Sequence, residues 1–136
     1  MQIKKKITIP ILEIFKLDKK FDDTLDTLIS FITNRDNNKN NPKGCLLAKF
    51  RQSQNKFGPK TQQQINLIKK QVLVRYEAWI EQSKEKNEFP SSISSQLAAN
   101  YLDAQLNNAL SQIANGEERS LVKEILTLSL SVLRKT

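Results

Sequence analysis

The chain has no histidine, one cysteine and three glycines among its 136 residues. Each shortage removes a class of function. Without histidine there is no imidazole to act as a base near neutral pH and no imidazole metal ligand. A single thiol, Cys45, supplies neither an intramolecular disulfide nor a thiolate metal cage. Its place between Gly44 and two leucines suits a small packed hydrophobe. The three glycines are too scattered for a phosphate-cradling loop. Carboxylates alone remain for chemistry. Glu77, Glu81 and Glu85 recur at four-residue spacing but are interleaved with Lys84 and Lys86, as on a solvated helix face. Asp22, Asp23 and Asp26 belong near a helix start. The chain reads as a non-enzyme without cofactor or metal.

Long apolar runs are missing too. None approaches the ~20 residues that a spanning helix needs. The segment MQIKKKITIPILEIFKLD opens on lysines as a signal peptide does. However, Glu13 and Lys16 interrupt its apolar part, and no small-residue cleavage site follows. The expectation is a cytoplasmic protein with no membrane role, in keeping with its cysteine usage.

The most telling shortage is local. From Asn37 to Tyr76 there is no Asp or Glu, while Lys39, Lys43, Lys49, Arg51, Lys56, Lys60, Lys69, Lys70 and Arg75 all fall inside. The formal net charge is +8, so the rest of the chain sums to −1 and the whole excess sits in this window. Lysines spread only for solubility would be interleaved with acids; a one-signed block suits a polyanionic partner.

What is present is helical patterning, consistent with one domain over residues 1–136. Pro10 opens a short helix through about Leu17. Phe21, Leu25, Leu28, Ile29 and Ile32 mark a second, and NRDNNKNNPKG a polar loop. Leu46, Leu47 and Phe50 mark a third, from Cys45 to about Gln54, broken at Gly58–Pro59. Thr61 is placed to cap a fourth helix, Gln62 to about Lys86, with Ile65, Ile68, Val72, Tyr76 and Trp79 on one stripe. NEFPSS breaks it. A fifth runs to about Ala114, with Ala98, Leu102, Ala109, Leu110 and Ile113 inward, and Asn115–Gly116 stops it. SLVKEILTLSLSVLRK, apolar on most sides, is expected to be the most buried helix. The predicted fold is all-α, a compact bundle of five or six helices.

The third helix, the Gly58–Pro59 turn and the start of the fourth are predicted to form a cationic groove or ridge. There Lys43, Lys49, Arg51, Lys56, Lys60, Lys69, Lys70 and Arg75 would face phosphates, and Gln52, Gln54, Asn55 and Gln62 would add hydrogen bonds. Phe57, in a loop beside lysines, could stack on an unpaired base. A helix-turn-helix fits poorly. With Gly58 as its turn glycine, Gln54 and Gln64 occupy positions that need a small and an apolar residue. Lysine and glutamine read a backbone rather than a base sequence.

This short basic helical profile, without active-site residues, resembles the small helical subunit of CRISPR RNA-guided surveillance complexes, in particular the type I-D kind. SSQLAANYLDAQLNNALSQIANGEERSLVKEILTLSLSVLRK is similarly suited to stacking. The resemblance implies copies of the chain lining a filament beside larger protein subunits and holding a guide–target duplex or a displaced single strand. It is one of profile, and no motif aligns residue by residue. The rival expectation is an adaptor or inhibitor that docks the same basic face on an acidic protein.

Overall fold

The computed structural model describes residues 14–15, 19–34 and 58–134. Among these it is all-α, with four helices: α1 (Phe21–Thr33), α2 (Pro59–Glu85), α3 (Ser95–Ala114) and α4 (Arg119–Leu130). A 3-10 turn, Ser131–Leu133, extends the last. Four is fewer than the expected five or six. The other two were placed at residues 10–17 and 45–54; of these only Ile14 and Phe15 are among the described residues.

The core stripes follow the helical period. Phe21, Leu25, Leu28, Ile29 and Ile32 of α1 are all buried, as are Ile65, Ile68, Val72, Tyr76 and Trp79 of α2. All five inward positions expected in α3 are buried, and Ala99 and Leu106 join them. α3 lies centrally, packed on α2 and α4, while α1 closes against α4 and α3. The short link at residues 115–118 makes α3 and α4 antiparallel neighbours. The Tyr101 hydroxyl, early in α3, accordingly donates to the Ser129 carbonyl, late in α4, at 2.6 Å. Phe21 stacks on Trp79 at 4.6 Å and 6°, Phe15 meets the same indole edge-on at 4.9 Å, and Phe89 tilts against Phe21 at 5.3 Å. Such pairs add about 0.5–1.5 kcal/mol each beyond the area they bury, and the Phe21–Trp79 pair fastens α1 to α2.

The helix ends explain the boundaries. α2 begins earlier than expected, because Pro59 sits at the first helical position with Gly58 as extended N-cap. Proline's fixed φ and missing N–H cost nothing there. Thr61 is therefore inside the first turn and is not the cap. At the other end Asn87 takes φ +61°, its N–H donating to Lys84 O (3.0 Å) and the Glu88 N–H to Ser83 O (2.9 Å). Gly116, φ +86°, ends α3 with the same pair of bonds, to Ile113 O and Gln112 O. Both are left-handed terminators of the Schellman type, which glycine and asparagine tolerate best.

α4 departs from expectation. Val122, Leu126, Leu130 and, beyond it, Leu133 are buried, but Leu121, Leu128 and Val132 are 46%, 74% and 66% exposed. It is not the most buried helix. Only one of its sides meets α3 and α1, and the other has nothing to pack against among the described residues. Arg134 draws the chain's end to α1, bonding Asp26 and lying 3.9 Å from Asp22. Three buried hydroxyls are satisfied locally: Thr24, Thr33 and Ser83 each donate to a carbonyl four residues back.

Candidate nucleic-acid interface

Of the twelve residues predicted to contact nucleic acid, Lys60, Gln62, Lys69, Lys70 and Arg75 lie on α2. Lys43, Lys49, Arg51, Gln52, Gln54, Asn55 and Lys56 lie outside the described residues, as do Phe57, the polar loop after Asn34 and the third expected helix.

α2 is straightforward to build. Its buried stripe meets Phe21 of α1 through Trp79 and packs on α3, so the opposite side faces outward. Lys60, Lys69 and Lys70 are exposed, while Gln62 and Arg75 are half-buried. Ten residues of helix put Lys60 about 15 Å from Lys70 along the axis, roughly the reach of a few nucleotides. Their positions around the helix differ. Gln62 and Lys69, one heptad apart, share one side; Lys60 and Lys70 lie on the outer side; Arg75 lies on the far flank. These five do not make one continuous stripe. A polyanion lying along α2 would meet Lys60 and Lys70 first, with Lys69 at its edge.

The helix itself strengthens this end. Its first turn has no acidic residue, and its N-cap offers no side-chain acceptor. The free N–H groups and the positive end of the macrodipole therefore add to Lys60 instead of being neutralised by it. Glu77, Glu81 and Glu85 stand at the other end, where the dipole is already negative. Lys84 in the last turn and Lys86 at the C-cap oppose that trend. Charge placed against the dipole weakens an isolated helix by about 0.3–1 kcal/mol per residue.

Gly58 has φ −66°, an ordinary extended value, so it is not a left-handed turn glycine of the helix-turn-helix kind. Two residues escaped sequence reasoning: Leu67 and Val74, 56% and 59% exposed, stand between the lysines on the outer side. The signal for them was present, since both fall off the stripe that Ile65, Ile68, Val72, Tyr76 and Trp79 define.

A shallow depression beside the α1 start is lined by Lys20, Phe21, Asp22, Asp23, Asn87 and Glu88. There Glu88 accepts the Phe21 N–H at 3.2 Å, doing the capping that Lys20 cannot. With three carboxylates around it, this depression is a poor place for a nucleic acid. Among the described residues, no three of Cys, Asp and Glu stand together as a metal-ion site, and no helix is long and apolar enough to cross a membrane. Glu81 accepts the Ser95 hydroxyl and so ties α2 to α3. Comparison with protein-family models, curated proteins and solved structures found no match.

Proposed function

We propose that this chain is a non-catalytic nucleic-acid-binding subunit that grips phosphates without reading sequence. The observation that carries the reading is the acid-free window from Asn37 to Tyr76, whose described part exposes Lys60 at the positive end of α2 and Lys69 and Lys70 nearer its middle. In the assembly implied by the resemblance, a cytoplasmic RNA-guided complex, the chain holds a guide–target duplex or a displaced strand beside larger subunits. The support there is the shared profile of a short, basic, all-helical chain without catalytic groups.

The test is fluorescence anisotropy with labelled single-stranded DNA, single-stranded RNA and duplex DNA at several salt concentrations. Neutralising ~4 phosphates on a single strand gives a log–log slope of about −3, so threefold more salt costs roughly twentyfold in affinity. Replacing Lys49, Arg51, Lys56 and Lys60 together should remove most of that slope and leave the helical circular dichroism intact. Binding that is absent at low salt, or equal in parent and variant, rejects the reading.

A second reading is favoured by Leu67 and Val74, which place exposed apolar surface among the lysines. An adaptor or inhibitor docking on an acidic protein would use such a surface. Its binding would fall less steeply with salt and resist competition by heparin or unrelated polynucleotides.

A further inference from the structure

The outer side of α2 carries a row at seven-residue spacing: Lys60, Leu67, Val74 and Glu81. All four are exposed, although Glu81 also accepts the Ser95 hydroxyl through one carboxylate oxygen, and seven residues is nearly two full helical turns, so they follow one line along the helix. The row is basic at its start, apolar in its middle and acidic at its end, where Glu77 and Glu85 add to Glu81. Turned end for end, it is its own complement.

We infer that this row is a docking surface for a second copy of the same chain, paired antiparallel about a two-fold axis between Lys70 and Gln71. In that register Leu67 of each copy faces Val74 of the other, and Lys60 faces Glu81. A two-fold contact is isologous, so every pairing occurs twice. The dipole supports the arrangement at one end: the start of α2 carries Lys60 and no acidic residue, so its positive charge is uncompensated within one copy and meets Glu81 of the other. Only one like-charge contact is created: the Lys70 side chains of the two copies meet beside the axis. The contact is closed, unlike the head-to-tail stacking of a filament, and it covers Lys60 and Lys70, so a polyanion lying along α2 would compete with it.

The experiment is sedimentation velocity of the full chain, free of nucleic acid, from about 10 µM to 0.5 mM at low salt. The expected result is a monomer–dimer equilibrium that Leu67→Glu and Val74→Glu abolish. Lys60→Glu and Glu81→Lys should each weaken it by roughly tenfold, since each reverses a pair at both ends. The double variant Lys60→Glu/Glu81→Lys should associate about tenfold more tightly than either single variant, although it too lacks the Ser95 bond. Those two positions are about 32 Å apart within one helix, so recovery requires the partner copy. Lys70→Gln should tighten the dimer. A chain monomeric throughout this range overturns the inference. So does a dimer indifferent to Leu67→Glu and Val74→Glu, or a charge swap without recovery. Circular dichroism of each variant confirms folding, and the charge variants decide the matter if an apolar-to-acid variant does not fold.

Discussion

Leu126 and Leu128 are two residues apart on α4, yet their substitution by alanine should have opposite consequences. Leu126 is 2% exposed and belongs to the apolar cluster that includes Leu102, Leu106, Val122 and Leu130. Removing its side chain beyond Cβ leaves a cavity that rigid neighbours fill only in part, at about 2–5 kcal/mol. Leu128 is 74% exposed, so Leu128→Ala loses little burial and keeps a strong helix former. Its effect should stay within about 0.5 kcal/mol. Urea unfolding, followed by far-ultraviolet circular dichroism and by fluorescence of Trp79, the only tryptophan, measures both. With a slope of about 2 kcal/mol per molar, Leu126→Ala should lower the midpoint by roughly 1–2.5 M and Leu128→Ala by no more than about 0.25 M. Because Trp79 is a core residue, the two probes should coincide if unfolding is two-state. Comparable losses from both variants would show that α4 is covered on both sides, refuting its one-sided packing.

Trp79→Ala should cost about 3–5 kcal/mol by calorimetry or urea, since it empties the site where Phe15 and Phe21 meet α2. Gly116→Ala should cost about 1–2 kcal/mol although nothing crowds the new Cβ, because φ stays at +86°; thermal unfolding reads it as a lower midpoint. Glu88→Ala should destabilise by roughly 0.5–2 kcal/mol by uncapping α1, while Glu88→Gln, which keeps an acceptor, loses less. Lys60→Gln alone should flatten the salt slope on single strands by about 0.7, the share of one phosphate, which anisotropy measures directly.

Much of the fold was legible because its signals are local. The helical stripes of α1, α2 and α3 follow from apolar spacing, and Asn115–Gly116 ended α3 because a left-handed residue must follow a helix closed in this way. Thr61 misled because a capping side chain and a proline at the first helical position are competing start signals, and proline's backbone geometry prevailed. For the candidate interface, the lysines were legible as charge, but their spread around α2 depends on which side the core claims. Leu67 and Val74 could be separated from core residues only by measuring them against that stripe.

The amino-acid order alone determined the helical class, the core stripes and the one-signed charge window, since each depends on neighbours within a few turns. Tertiary structure alone decided that Glu88 caps α1 from 67 positions away. It also decided that Arg134 closes on Asp26 and that α4 shows one apolar side to solvent. These depend on which surfaces meet once the helices pack. A helix with apolar residues on several sides offers more than one way in, and only its neighbours choose among them.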